Sequence, residues 1–352
     1  MTYFHTFISI LAALVLFLHS LAGFSKELQE LGAEKLQAWL GKITQNRLGG
    51  FGLGILLTTL IQSSSAVTSI TVSLVDAGVI SFFDSLAVLM GANLGTTFTA
   101  WLVAFKLHNL GSILLVVGMG LGFLPFRIRL AGKSIFYLGL ILFSLELISL
   151  ALEPLAKDQT ILGFLSEIDR LWVGIFIGIV VTILVQSSSV TTGLSIILAS
   201  QDLLSLPAAL AIVIGSNIGT TSTALFASLS LSESAKNAAL ANTLFNLIGL
   251  AIFIPFIGLL AQFLIATELE ISYQIALAHL IFNLSISLIG LPLLKPLGKL
   301  VLLLNEKAHS AQLTLFPHKD EKIIPKKNTT KKIIPKKIIP RKFRHKKNRK
   351  SE

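Results

Sequence analysis

Apolar residues run along this chain in segments of about 20, separated by charged residues, glycine or proline. Helices of that length can cross the roughly 30 Å hydrocarbon core of a bilayer. The pattern predicts spans near 4–24, 82–105, 108–125, 133–152, 206–229, 237–264 and 273–294. The first stretch has no positively charged residues before it, so we interpret it as a span and not as a cleaved signal peptide. We therefore expect an all-α polytopic membrane protein.

Two further apolar stretches, 49–78 and 172–200, do not fit this scheme. Each is interrupted halfway by Gln-Ser-Ser-Ser, at residues 62–65 and 186–189. At 1.5 Å per residue each half reaches only about 20 Å, which is too short to cross a bilayer. We predict that each stretch is a re-entrant helical hairpin with the polar turn at its tip.

The two stretches belong to an internal repeat. An offset of 124 residues aligns 50–100 with 174–224 without a gap, and 21 of the 51 pairs are identical. Three predicted crossings separate the hairpins, so the second enters from the opposite face. An inverted-topology repeat of this kind occurs in many secondary transporters.

A second repeated motif lies within a predicted span of each repeat. Residues 91–97 read Gly-Ala-Asn-Leu-Gly-Thr-Thr, and residues 215–221 read Gly-Ser-Asn-Ile-Gly-Thr-Thr. Glycine and asparagine disfavour helix, and threonine can cap a new one. We expect a broken transmembrane helix here in each repeat, although the same residues would also let two helices pack closely.

These features divide the chain into four parts. We assign 1–48 to an N-terminal transmembrane helix and amphipathic linker, 49–152 to repeat 1, 153–305 to repeat 2, and 306–352 to a disordered basic tail. The tail repeats Lys-Ile-Ile-Pro, and its proline content and like charge argue against a fold.

Charge is distributed unevenly along the chain. The formal net charge is +11, but fifteen of the 29 Lys and Arg residues lie from His318 onward. The preceding part is nearly neutral, so nucleic-acid binding is not expected. Lys and Arg also collect on one face of the predicted topology, which places the N-terminus outside and the tail in the cytoplasm of a plasma (inner) membrane. The tail is interpreted as solvated, and attraction to anionic lipid on the cytoplasmic face is the alternative.

Polar groups at membrane depth are the candidate site, because irregular backbone there is tolerated only inside protein or beside water. Hydroxyls, amides and half-helix N-termini can bind an oxyanion, while carbonyl and hydroxyl oxygens can coordinate sodium. The candidates in the hairpin turns and helix breaks are Gln62, Ser63, Ser64, Ser65, Asn93, Thr96, Thr97, Gln186, Ser187, Ser188, Ser189, Asn217, Thr220 and Thr221. Thr68, Thr192, Glu146 and Asn283 are further candidates; Glu146 is an acid in the middle of an apolar span.

In each repeat, the Asn of the second motif lies 31 residues after the Gln of the turn. These paired motifs resemble the type II sodium/phosphate cotransporter family and its bacterial relatives. The resemblance covers about residues 1–305. It implies phosphate as substrate and sodium as coupling ion, held between the two turns, with no other cofactor. Many bacterial relatives are expected to carry a PhoU-like domain where the basic tail stands here. The family pattern Ala-x-x-His-x-x-Phe-Asn is present at 276–283, whereas Asn242 replaces the His in the earlier copy.

The resemblance implies sodium-coupled phosphate transport by alternating access. Phosphate efflux and a membrane phosphate sensor are the alternatives, and a sensor would not need a mirrored pair of hairpins. A serine hydrolase would need a base within reach of a turn serine, and neither turn has a nearby His. We therefore expect a transporter and no enzyme. The sequence leaves the oligomeric state open.

Overall fold

The computed structural model describes residues 2–44, 46–105, 110–124, 127–166, 168 and 170–315. These residues form α-helices, with 3-10 turns at Leu155–Lys157 and Ile254–Phe256. The helices are α1 Thr2–Ile43, α2 Arg47–Ile61, α3 Ser64–Asp76, α4 Phe82–Gly95, α5 Thr97–Ala104, α6 Leu110–Gly122, α7 Arg127–Leu152, α8 Gln159–Ser166, α9 Leu171–Val185, α10 Ser188–Ser200, α11 Leu206–Ser228, α12 Glu233–Phe253, α13 Ile257–Ile265 and α14 Ile271–Leu315. The predicted all-α class is confirmed.

Within the described ranges, six segments have the length and apolar character of a membrane span. They are Tyr3–Glu27, Phe82–Ala104, Ala131–Lys157, Leu206–Ser228, Glu233–Ile265 and Ile271–Glu306. The remaining predicted crossing, 108–125, corresponds to α6. Its 13 residues extend only about 20 Å. The chain is thus a multi-pass membrane protein.

Both predicted hairpins are present. Helix α4 runs parallel to α2. A Cβ placed on Gly54 would meet Val88, and one placed on Gly95 would meet Thr58, so later residues of α2 lie beside later residues of α4. Helix α4 begins only a few residues after α3 ends, so α3 has to run back along α2. Hairpin 1 is therefore α2 and α3, with its tip between them. The same glycine contacts pair α9 with α11 and define hairpin 2 as α9 and α10.

The hairpins enter the bundle from opposite ends. The line of α4 and α5 starts at the base of hairpin 1 and ends at Val103, which lines one cavity with Ser200 at the base of hairpin 2. Conversely, α11 starts at the base of hairpin 2 and ends close to Ser232, whose backbone N–H donates to Asp76 Oδ1 at the base of hairpin 1 (2.7 Å). The predicted inversion of the two repeats is confirmed.

Helices α1, α6 and α7 pack together beside hairpin 1. Helix α1 is antiparallel to α7, since Lys133 Nζ lies 3.0 Å from Glu27 Oε1 at one end and Tyr3 donates to Asp158 at the other. Helix α6 is also antiparallel to α7 and approaches it closely; a Cβ on Gly118 would lie 2.2 Å from the Phe136 nitrogen. The described chain therefore passes seven times between the two ends of the bundle, once on the short helix α6.

The predicted break in the long helix is not found in repeat 2, and in repeat 1 it is reduced to a single residue. Helix α11 is continuous through Asn217 and Thr220. In repeat 1 the helix is interrupted only at Thr96, which keeps right-handed dihedral angles (φ −62°, ψ −26°). The glycines instead give close packing: a Cβ on Gly91 would lie 2.0 Å from the Phe51 carbonyl oxygen. Close helix packing, the alternative reading of the motif, explains these residues.

The tail assigned to residues 306–352 begins inside helix α14. Helix α14 continues to Leu315, since residues 305–315 include Ala, Glu, Lys, Gln and Leu, which favour helix. The predicted disorder of the remaining tail, and its lipid contact, concern residues 316–352, which lie outside the described residues.

Candidate functional site

The tips of the two hairpins meet in the middle of the bundle. Ser65 Oγ, in the first turn of α3, donates to the backbone carbonyl of Gln186 at the tip of hairpin 2 (3.4 Å). The positive ends of α3 and α10 therefore face a shared region from opposite directions. The structure brings together the two Gln-Ser-Ser-Ser turns that are 124 residues apart in sequence.

Tip 1 is enclosed and internally bonded. Gln62 ends α2 in the left-handed conformation (φ 54°) and is only 6% exposed. Its Oε1 accepts a hydrogen bond from Thr99 (2.9 Å), and its Nε2 donates to the Thr59 carbonyl. Ser63 caps α3 by accepting from the Ala66 N–H (3.2 Å), and Ser64 is buried. The hydroxyl of Ser63 thus already satisfies one N–H at this helix end.

Tip 2 has the same backbone but a more open glutamine. Gln186 ends α9 with φ 56°, and its side chain is exposed. Ser187 makes no side-chain capping bond to α10, whereas Ser188 and Ser189 are buried. The N–H groups of the first helical turn have no intrahelical partners. At tip 2 they also lack a side-chain cap, which suits them to bind an anion.

The threonines of the second motif point their hydroxyls at their own helices. Thr96 donates to the Ala92 carbonyl (3.1 Å) and Thr97 to the Leu94 carbonyl (2.7 Å). In repeat 2 the corresponding donors are Thr220, to Ser216 (2.9 Å), and Thr221, to Ile218 (2.8 Å). A hydroxyl that donates in this way keeps lone pairs that can accept or coordinate a cation.

The two asparagines of this motif differ. Asn93 Nδ2 lies 3.4 Å from Asn242 Oδ1 on α12, and Asn246 donates to the Asn242 carbonyl (2.8 Å). Asn217 instead donates to Val213 in its own helix (3.2 Å). Asn93 therefore links α4 to a buried row of asparagines, while Asn217 does not.

The structure does not bring all of the further candidates to the tips. Thr68 and Thr192 lie one turn into α3 and α10 and are buried, and the Thr192 hydroxyl has no partner among the described atoms. Asn283 donates to the His279 carbonyl (3.0 Å) within α14. Glu146 lies on α7, in a cavity beside the base of hairpin 2.

Three polar groups that contact the candidate residues or their helices were not among the sequence candidates. Thr99, which bonds Gln62, lies two residues after the second motif and is repeated as Thr223. Thr58 is buried with an unpartnered hydroxyl. Asn242 takes the place that His279 has in the later copy of the Ala-x-x-His-x-x-Phe-Asn pattern. The repetition of Thr99 as Thr223 was therefore visible in the repeat alignment. The contact of Thr99 with Gln62, however, depends on how the helices pack.

The contact between the repeats also changes one ionisable group. Asp76 lies at the base of hairpin 1 and is exposed to solvent. The backbone N–H of Ser232 donates to its carboxylate and holds the pKa of that carboxyl below its usual range. The base of hairpin 1 is thereby tied to the end of the long helix of repeat 2.

Comparison with known proteins identifies the same two repeats. The Na+/Pi-cotransporter family model matches residues 16–150 and again residues 151–296. The uncharacterised protein YqeW of Bacillus subtilis is 33% identical over 300 residues, 84% of this chain and 97% of the relative. YjbB of Escherichia coli, named as a candidate inorganic phosphate export protein, is 30% identical over 268 residues, 75% of this chain and 49% of the relative.

A shorter match reaches an animal protein. The mouse sodium-dependent phosphate transport protein 2A is 40% identical over 97 residues, which are 27% of this chain and 15% of that protein. This chain thus spans about half the length of the E. coli relative and much less of the mouse one. No solved structure matches the chain.

Two inverted repeats, with half-length hairpins meeting at mid-bundle, define a membrane protein of the secondary-transporter class. The family match covers both repeats and most of the chain. The chain belongs to the Na+/Pi-cotransporter family.

Proposed function

We propose that this protein is a sodium-coupled transporter of inorganic phosphate that works by alternating access, with phosphate and sodium held between the two hairpin tips. The observation that carries the proposal is the meeting of the tips, where Ser65 of one repeat contacts Gln186 of the other. Family membership and the phosphate transport named for its relatives support the choice of substrate.

The donors at the tips suit phosphate. The N-termini of α3 and α10 converge on one region, and each presents backbone N–H groups together with Ser hydroxyls. Residues 50–105 and 172–230, which include both hairpin tips and both long helices, contain no Lys or Arg. The anion would therefore be recognised by dipoles and hydrogen bonds.

The same absence of positive side chains is the physical reason to expect sodium. A phosphate anion brought to the centre of a bilayer without a counter-charge is strongly disfavoured. Sodium ions bound beside it would supply that charge. Oxygen ligands are at hand in the carbonyls around the left-handed glutamines and in the buried hydroxyls of Thr58 and Thr192, which have no partners among the described atoms.

Export of phosphate is the second candidate for the direction of transport. The E. coli relative, whose name describes phosphate export, aligns with three quarters of this chain. The mouse relative is named for sodium-dependent transport without a direction. The driving ion gradient, and not the tip geometry, would set the net direction.

Transport in proteoliposomes tests the proposal. Radioactive phosphate uptake is measured with an inward sodium gradient, with potassium replacing sodium, and with phosphate loaded inside to follow release. Uptake that depends on sodium and is lost in Ser64→Ala supports sodium-coupled import. Movement of phosphate without a sodium requirement would contradict the coupling. Absence of movement in every arm, with correctly inserted protein, would contradict transport.

A further inference from the structure

A second cavity lies away from the hairpin tips, between α5, α7 and α10. Its volume is about 250 Å³, and Glu146 is one of its lining residues. Ile196 and Ser200 of α10 form one wall. Ile196 is eight residues from Ser188 at the tip, which separates them by about 12 Å along the helix. The cavity is therefore distinct from the candidate transport site.

Glu146 is close to the middle of the span Ala131–Lys157. Within the described part of the chain it forms no ion pair or hydrogen bond with another residue. A carboxyl group at this depth is strongly disfavoured unless it pairs or carries out a function. The cavity in front of it supplies room for a positively charged partner.

The rest of the lining indicates the kind of cation. Seven of the ten lining residues are apolar, and the oxygen-bearing side chains are Glu146, Ser149 and Ser200. Ser149 already accepts from Gln201, and Ser200 donates to the Ile197 carbonyl (2.9 Å). Sodium needs a close cage of several oxygens, which this roomy apolar cavity does not provide. An ammonium group on an aliphatic body matches one carboxylate in an apolar pocket.

The cavity opens on the outer surface of the bundle. Phe105 and Leu150 line it and are 48% and 60% exposed. In a membrane protein that surface faces lipid, so an amphipathic amine dissolved in the bilayer can enter from the side. We propose that this cavity binds primary alkylammonium ions, with the nitrogen at Glu146 and the chain against the leucine and isoleucine walls.

Occupancy has a consequence for transport that rests on the proposed function. Helix α10 belongs to hairpin 2, whereas α7 packs with α1 and α6 outside the hairpins. A ligand wedged between α7 and α10 would hold hairpin 2 against this outer group of helices. Bound alkylammonium should therefore slow phosphate movement by limiting the motion of hairpin 2.

Direct binding tests the site without relying on transport. Radiolabelled n-hexylamine, protonated at pH 7 as a primary amine with a pKa near that of lysine, is titrated onto the purified full chain in nanodiscs. Neutral hexan-1-ol is the matched competitor. We expect saturable binding of one hexylammonium per chain, weakened at least tenfold by Glu146→Gln, retained by Glu146→Asp, and unchanged by Glu153→Gln. Glu153 is the control because it is exposed and pairs with Lys157.

Further arms keep the result interpretable. Ser200→Phe, which fills the cavity but leaves the carboxylate, should also abolish binding, so the test survives poor folding of Glu146→Gln. Absence of saturable binding to the wild type, equal binding by Glu146→Gln, or equal competition by hexan-1-ol would overturn the proposal. Selective displacement by sodium over potassium would instead make this a sodium site. If hexylammonium binds but phosphate does not move, the cavity stands and the proposed function fails.

Discussion

The hydroxyl of Thr99 donates to Gln62 Oε1 at 2.9 Å, whereas their counterparts in the second repeat, Thr223 and Gln186, do not meet. Thr223 donates instead to the Thr220 carbonyl (2.8 Å), and the Gln186 side chain is exposed. The residues and the left-handed glutamine backbone are the same in both repeats. The difference therefore comes from the surroundings: the Gln62 side chain is hydrogen-bonded to its long helix, and the Gln186 side chain is not.

The first prediction concerns this bond. Thr99→Val removes the donor to Gln62, and a net hydrogen bond contributes about 1 kcal/mol, which is roughly a fivefold change in an equilibrium. We expect a cysteine introduced at Ala66, in this cysteine-free chain, to react several-fold faster with a soluble maleimide in the Thr99→Val background. Thr223→Val is the matched control and should leave that rate unchanged. Equal effects of the two variants would show that the bond does not hold tip 1 closed.

The second prediction concerns the tips as one site. Ser64 and Ser188 are both buried, and removing a hydroxyl that binds the substrate leaves a polar partner unsatisfied, at a cost of about 1 to 3 kcal/mol. Ser64→Ala and Ser188→Ala should each reduce phosphate transport by roughly tenfold or more. The double variant should lose less than the sum of the two free energies, because both serines act on one ligand.

Ser73→Ala provides the control for this series. Ser73 lies on α3 as Ser64 does, but it is exposed and bonds its own helix (2.9 Å to the Ser69 carbonyl). Transport should stay near the wild-type rate at equal membrane abundance. Full activity in both tip variants would reassign the serine turns to helix packing.

The third prediction compares two glycines on α2. A Cβ on Gly54 would lie 2.1 Å from the Val88 carbonyl oxygen, whereas one on Gly52 would meet nothing within 4 Å. Gly54→Ala should destabilise the protein by about 1 to 3 kcal/mol through overpacking. Gly52→Ala should be neutral or stabilising by up to about 1 kcal/mol, from its helix propensity. Melting temperatures in one detergent measure both, and a lower value for Gly52→Ala than for Gly54→Ala would refute the close packing of α2 on α4.

The fourth prediction concerns orientation. The ion pair of Glu27 with Lys133 places Ser25 and Ser134 at the same end of the bundle, and the Lys and Arg asymmetry predicts that this end is cytoplasmic. Cysteines at Ser25 and Ser134 should react with an impermeant maleimide only after the membrane is opened. A cysteine at Lys157, at the opposite end, should react in intact cells. The reverse pattern would invert the predicted topology.

The two hairpins could be predicted from the sequence, because a polar turn in the middle of an apolar stretch leaves two helices too short to cross a bilayer. The inversion of the hairpins also follows from the sequence, since a repeat separated by an odd number of crossings has to enter from the other face. The Gln-Ser-Ser-Ser turns were thus identified as the place where irregular backbone and polar donors lie at membrane depth.

The conformation of the second motif depends on contacts between helices that are distant in the sequence. Gly91 and Gly215 disfavour helix in isolation, but close contact with α2 and α9 and the bonds of Thr96 and Thr220 to their own helices keep the backbone helical. Long-range packing decided the different states of Gln62 and Gln186 as well. Local sequence could not distinguish them, because the residues are identical and their environments come from different parts of the chain.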